Sequence, residues 1–129
     1  MDNLLTGWRV LLVEDEMMVL MMLEMALEDL GCESIVVASS LDTAMAVAAL
    51  PGFDIAMLDM NLGGNDSSPV ADVLDARHVP YVFCTGNSGG DKRRGVPLRA
   101  TLRKPFGMDE MSAALAQLIG EVGTPLAAN

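Results

Sequence analysis

The chain has 129 residues, which is enough for one domain with a single hydrophobic core. Its 18 acidic and 8 basic side chains give a formal net charge of −10, which argues against nucleic-acid binding through a basic surface. No apolar run approaches the ~18 residues of a membrane span, and residues 1–7 lack the pattern of a secretory signal, so we expect a cytoplasmic protein without membrane contact.

Predicted strands and helices alternate along the chain. Continuous apolar runs, as at 9–13, are typical of strands buried on both faces. Turn-forming residues separate the segments, and Gly31 is expected to end the first helix. The predicted elements are strand 9–13, helix 16–30, strand 34–38, helix 41–50, strand 53–58, loop 60–69, helix 69–76, strand 79–84, a short helix near 91–95, strand 98–102 and helix 108–119.

This alternation predicts an α/β fold, a doubly wound parallel sheet with helices on both faces and right-handed crossovers. With five strand–helix units we expect the strand order 2-1-3-4-5, which makes the first and third strands neighbours at the topological switch point. The domain is expected to span residues 1–121, and 122–129 to form a disordered tail.

The first helix is apolar over most of its surface. One stripe at helical spacing predicts its buried face, and four further apolar residues lie off that stripe. Either the helix exposes an adaptable docking surface or it is buried more deeply than usual. The stripe comprises Val19, Met22, Leu23, Ala26, Leu27 and Leu30, and the off-stripe residues are Met18, Leu20, Met21 and Met25.

Acidic residues follow two strands that we expect to be neighbours. Glu14 and Asp15 come directly after the first strand, and Asp59 ends the third. Such carboxylates repel one another, and a hard divalent cation such as Mg²⁺ resolves the repulsion. We expect Asp59 to be a nucleophile able to carry a phosphoryl group, Asp15 a direct ligand and Glu14 a direct or water-mediated one, with the Asn61 backbone carbonyl added.

The fourth and fifth strands each add one further group to the same edge of the sheet. Lys104 follows the fifth strand and offers an ammonium group, and Thr85 ends the fourth with a hydroxyl. A transferring phosphoryl group carries negative charge on three equatorial oxygens, so such groups suit it. We therefore expect Lys104 and Thr85 to stabilise phosphoryl transfer to Asp59.

Taken together, these motifs resemble the receiver domain of two-component response regulators over roughly residues 8–120. The resemblance implies a flavodoxin-like (βα)5 fold, a cis peptide before Pro105, and transfer to Asp59 from a phosphohistidine on a sensor histidine kinase or a histidine phosphotransfer protein. The motifs that carry it are Val13-Glu14-Asp15-Glu16, Leu58-Asp59-Met60-Asn61, Thr85-Gly86 and Lys104-Pro105-Phe106.

One alphaproteobacterial receiver class, with a Phe-Ala-Thr-Gly-uncharged-Tyr motif, is more similar still. The chain departs from both patterns at the positions that usually report phosphorylation, because Thr101 stands where most receivers have an aromatic residue and Ser88 where this class has Tyr. The segments that match this class are Phe83-Cys84-Thr85-Gly86-Asn87-Ser88 and Asn61-Leu62-Gly63-Gly64.

We expect a stand-alone phosphoacceptor rather than an enzyme, monomeric or weakly dimeric, whose output is protein–protein contact. One alternative is an interaction module that phosphorylation does not switch, because both aromatics are missing. A less favoured alternative is a phosphatase of the aspartyl-phosphate type. Such enzymes usually carry a second Asp two residues after the nucleophile, and Asn61 occupies that position here.

The remaining polar and unusual residues receive structural or surface assignments. We expect His78 at the surface, Trp8 over the edge of the core, and both Asp54 and Asp66 in solvent. Six of the eight basic residues lie in segment 92–104, a candidate for output or dimer contacts. Two cysteines are too few for a disulfide framework, so Cys32 and Cys84 are expected to be reduced thiols.

Overall fold

A computed structural model describes residues 3–86 and 101–123. The helices and strands largely follow the predicted order, with boundaries that shift by a few residues. In chain order the elements are β1 (Arg9–Val13), α1 (Met17–Asp29), β2 (Ser34–Ala38), α2 (Leu41–Ala48), β3 (Ile55–Asp59), β4 (Asn61–Leu62), β5 (Asn65–Asp66), α3 (Ser68–Ala76), β6 (Tyr81–Thr85), β7 (Thr101–Arg103) and α4 (Met108–Val122).

Five strands form one parallel sheet in the order β2-β1-β3-β6-β7. This arrangement is the predicted 2-1-3-4-5 order, because β4 and β5 form a separate two-stranded hairpin. β1 and β3 pair directly, with Val13 opposite Leu58. The carboxyl ends of β1 and β3 therefore lie side by side, as the doubly wound fold requires.

The two faces of the sheet bury separate hydrophobic clusters. On β1, Val10 and Leu12 pack with α1 and α4, whereas Leu11 and Val13 pack with α2 and α3. This alternation follows from the two-residue repeat of a strand. Trp8, which we expected over the edge of the core, is buried within the first cluster.

The buried face of α1 differs from the predicted stripe. Leu20 is buried, although it was placed off the stripe, and Met22 is 65% exposed, although it was placed on it. Nearly every position of α1 is apolar, so spacing alone could not fix which face turns inward. Five methionines of this helix are exposed, as a docking surface requires: Met17, Met18, Met21, Met22 and Met25.

The prediction that Asp54 is solvated is wrong. Its side chain is fully buried and accepts hydrogen bonds from the Arg9 backbone N–H at 2.9 Å and from Arg9 Nη2 at 3.2 Å. A buried carboxylate needs such partners, because burial without them is costly. Asp66 and His78 are exposed, as predicted.

Several predictions lie wholly or partly outside the described residues. These are the helix near 91–95, the start of the strand at 98–102, the switch position Ser88, most of the basic segment 92–104, and the tail from 124 onward. The last helix runs on to Val122, beyond its predicted end at 119. Across the described ranges, no helix combines the length and apolarity that crossing a bilayer requires.

Candidate functional site

Four neighbouring strands deliver polar groups to one edge of the sheet. Glu14 and Asp15 directly follow β1, Asp59 is the last residue of β3, Thr85 is the last residue of β6, and Lys104 directly follows β7. The strands are parallel and adjacent, so their carboxyl ends meet at the same edge. The structure thus brings together the side chains of Glu14, Asp15, Asp59 and Lys104, and places Thr85 at the end of the neighbouring strand.

Glu14, Asp15 and Asp59 form an acidic cluster. One carboxylate oxygen of each lies within 4.8 Å of the others. Glu14 and Asp59 are buried, with 1% and 7% of their surfaces exposed, whereas Asp15 is partly exposed. Like charges this close and this poorly solvated repel strongly, so the cluster needs positive charge beside it.

Lys104 supplies part of that charge from within the protein. Its Nζ donates to Glu14 Oε1 at 2.9 Å and lies 3.5 Å from Asp59 Oδ2. Its backbone N–H donates to the Thr85 carbonyl at 2.7 Å, which fixes the loop after β7 against the end of β6. The Lys104–Pro105 peptide is cis, as predicted from the resemblance.

Burial and neighbouring charge shift two pKa values in the cluster. Burial and the carboxylate of Glu14 raise the pKa of Asp59 to about 7, although the Asn61 N–H and Lys104 oppose the rise. Burial alone would lower the pKa of Lys104, but its hydrogen bond to Glu14 and the charges of Asp59 and Glu14 raise it overall. Lys104 therefore remains an ammonium group. Asp59 binds a proton more readily than an ordinary aspartate, and a cation bound beside it would lower its pKa.

A short hairpin, β4–β5, borders the cluster where the sequence predicted only a loop. Gly63 and Gly64 form its two-residue turn, and the Gly63 N–H donates to Asp15 Oδ2 at 2.9 Å. Sequence reasoning missed this contact, although a Gly-Gly pair is a signal for a two-residue hairpin turn. Each strand of this hairpin has only two residues, which is too short to show the alternation of apolar and polar residues that predicts a strand.

The donor set of the cluster fits a hard divalent cation. Carboxylate oxygens are the ligands that Mg²⁺ prefers, and a site with a few carboxylates leaves room for waters and phosphoryl oxygens. Glu14, Asp15 and Asp59 are the residues that could hold the ion. Among the described residues, the cluster consists of carboxylates alone, a set of oxygen ligands that suits Mg²⁺ better than zinc or copper.

The site and the fold together define a receiver-type α/β domain. The family model for the response regulator receiver domain matches residues 10–116, and the chain belongs to this family. No curated protein matches the chain significantly.

Solved structures agree with the family assignment. The solution structure of SdrG from Sphingomonas melonis Fr1 is 43% identical, with TM-score 0.75, covering 90% of this chain and 98% of that one. The receiver domain of the Erythrobacter litoralis response regulator PhyR is 25% identical, with TM-score 0.77 and coverages of 94% and 96%. The receiver domain of the sensor histidine kinase PA1611 from Pseudomonas aeruginosa PAO1, solved with magnesium coordinated in its active-site cleft, is 26% identical, with TM-score 0.73 and coverages of 88% and 98%.

Proposed function

We propose that this domain accepts a phosphoryl group on Asp59, in a Mg²⁺-dependent reaction, from a phosphohistidine of a sensor histidine kinase or a histidine phosphotransfer protein. The observation that carries this proposal is the position of Asp59. Its carboxylate lies beside Lys104 Nζ and within a cluster of carboxylates that suits a divalent cation. The output is then contact with a partner protein, and we place the protein in the cytoplasm as a monomer or weak dimer.

The chain's own residues support each part of the transfer. A carboxylate oxygen of Asp59 forms a bond to phosphorus as the phosphorus–nitrogen bond to the donor imidazole breaks, and the imidazole leaves with that electron pair. Lys104 lies 3.5 Å from the Asp59 carboxylate, close enough for its charge to balance one phosphoryl oxygen. Thr85 ends the neighbouring strand, where its hydroxyl is suited to donate to another.

Glu14, Asp15 and Asp59 are the side chains that would hold Mg²⁺, with the Asn61 backbone carbonyl as the further ligand that we predict. When bound, the ion neutralises charge on the carboxylates and on the phosphoryl oxygens. The magnesium ion coordinated in the related PA1611 receiver domain supports this assignment.

The proposal is tested with a small phosphodonor. Incubation with acetyl phosphate and Mg²⁺ should add the mass of one phosphoryl group to the intact protein, as measured by mass spectrometry. Asp59→Asn should abolish the addition, because an amide is a poor nucleophile at this position. Asp29→Asn is the matched control, since Asp29 is exposed at the last residue of α1, a helix of 13 residues whose other end lies beside the acidic cluster, and should label like the wild type. Equal labelling of Asp59→Asn would contradict the assignment.

A second candidate is a receiver-like interaction module that phosphorylation does not switch. It is favoured by Thr101, which lies in β7 three residues before Lys104, where most receivers have an aromatic residue. Binding of a partner to the phosphorylated and unphosphorylated protein separates the two candidates. Equal affinities would favour the unswitched module, whereas a difference would favour the phosphorylation switch.

A further inference from the structure

Backbone pairing and the Asn61 side chain shape the turn of the β4–β5 hairpin. Leu62 pairs with Asn65 across the two-residue turn, and both turn residues have positive φ, 58° at Gly63 and 92° at Gly64. Positive φ at both central positions is the requirement of a type I′ turn, which glycine meets without strain. The Asn61 side chain accepts from the Gly64 N–H at 2.8 Å and so closes the turn from one side.

This geometry aims one backbone N–H of the turn at the acidic cluster. The Gly63 N–H donates to Asp15 Oδ2 at 2.9 Å, and Asp15 is the most exposed carboxylate of the cluster. A partly exposed carboxylate with no such bond can adopt several rotamers, and each binding event would have to select one of them. A carboxylate has lone pairs enough to accept this bond and still coordinate a cation.

We propose that the β4–β5 hairpin is a positioning element for the metal site, in which the Asn61 side chain holds the turn and the Gly63 N–H orients Asp15 toward the cation. The inference rests on the proposed Mg²⁺ dependence and extends it from the ligands to the groups that orient them. Hydrogen bonds to ligating carboxylates generally strengthen metal binding, and their loss typically weakens it 10- to 100-fold.

The test compares two asparagines of the same hairpin. Asn61→Ala removes the acceptor for the Gly64 N–H but keeps the Asn61 backbone carbonyl, and should raise the Kd for Mg²⁺ about tenfold in calorimetric titration. Asn65→Ala is the matched control, because Asn65 is exposed on the opposite strand and should bind Mg²⁺ like the wild type. Amide hydrogen exchange at Gly63 and Gly64 should become faster in Asn61→Ala and stay unchanged in Asn65→Ala.

Gly64→Val provides a second, independent disturbance. A side chain at Gly64 meets no heavy atom within 4 Å, but valine is strained at positive φ, so the turn should shift without a clash at Asp15. We expect weaker Mg²⁺ binding in this variant as well. Unchanged Kd values in both Asn61→Ala and Gly64→Val would overturn the positioning role and leave the proposed function standing. A wild-type protein that does not bind Mg²⁺ would overturn both.

Discussion

At the residue scale, Arg9 and Asp54 hold β1 and β3 together at the end of the sheet opposite the acidic cluster. Asp54 accepts from the Arg9 backbone and guanidinium, and its own N–H donates to the Arg9 carbonyl at 2.8 Å. The Arg9 side chain is 25% exposed, whereas that of Asp54 is fully buried. The pair therefore satisfies a carboxylate that water cannot reach.

We expect Asp54→Ala to lower the free energy of unfolding by about 2–4 kcal/mol, because it leaves the Arg9 N–H and guanidinium without their acceptor. Urea denaturation at pH 7 measures the loss. Asp54→Asn keeps an oxygen acceptor and should lose less, and Asp42→Ala at an exposed position should stay within about 0.5 kcal/mol of the wild type. A stability of Asp54→Ala equal to that of Asp42→Ala would show that the pair contributes little.

The position of Asp59 could be predicted from the sequence, whereas the burial of Asp54 could not. Asp59 was placed correctly at the sheet edge because it ends an apolar strand, and strand ends converge by topology. Asp54 precedes the same strand at its other end, where no motif marks its partner. Its burial depends on Arg9, 45 residues away, and only the strand register brings the two together.

At the element scale, α1 presents methionines to solvent beside the start of α4. Met22 and Met25 line a groove with Phe106 and Met108, and Met18 is 75% exposed on the same helix. Methionine suits surfaces that adapt to a partner helix. Since no lysine or arginine occurs in α1, its charged residues are all acidic.

We expect Met18→Lys and Met21→Lys to slow phosphoryl transfer from a histidine kinase or phosphotransfer protein by about tenfold, because a charge replaces apolar contact in the proposed docking surface. Labelling by acetyl phosphate, which needs no docking, should be unchanged. Leu50→Lys is the matched control, since Leu50 is 56% exposed just after α2. Unchanged transfer from the protein donor in both methionine variants would place the docking surface elsewhere.

The bounds and buried faces of some elements could be predicted from the sequence, whereas those of others could not. Strands β1 and β2 match their predicted bounds, because each is a compact apolar run between turn residues. The prediction of which face of α1 is buried was wrong at Leu20 and Met22, because a helix that is apolar all round has no distinct apolar stripe. The β4–β5 hairpin was predicted as loop because its composition is that of a turn and its contacts are with a distant carboxylate.

At the scale of the whole molecule, the proton on Asp59 couples the site to folding stability. The pKa of Asp59 rises from an ordinary value of 3.8 to about 7, because burial and Glu14 disfavour its charge. Without divalent cations, the Asp59 carboxyl therefore binds more protons in the folded protein than in the unfolded chain between pH 3.8 and about 7. The contribution of Asp59 to the free energy of unfolding should fall as pH rises through this window and level off above it.

Asp59→Asn should remove this dependence, because an amide neither titrates nor repels Glu14. In urea melts without divalent cations, we expect the variant to exceed the wild type by on the order of 1–3 kcal/mol at pH 8, and by much less near pH 4. Added Mg²⁺ should stabilise the wild type more than the variant at pH 8. Equal stability of the two proteins at pH 8 without Mg²⁺ would show that the Asp59 charge is not destabilising.

The bond between Gly63 and Asp15 has a thermodynamic consequence for signalling. If the cation and the turn favour each other, linkage requires that the effect run in both directions with equal free energy. A partner protein that binds the β4–β5 hairpin in its present position would then increase the affinity for Mg²⁺. A partner that displaces the hairpin would decrease that affinity. Through the hydrogen bond of 2.9 Å from the Gly63 N–H to Asp15 Oδ2, a partner protein bound at the hairpin would change the affinity of this domain for Mg²⁺.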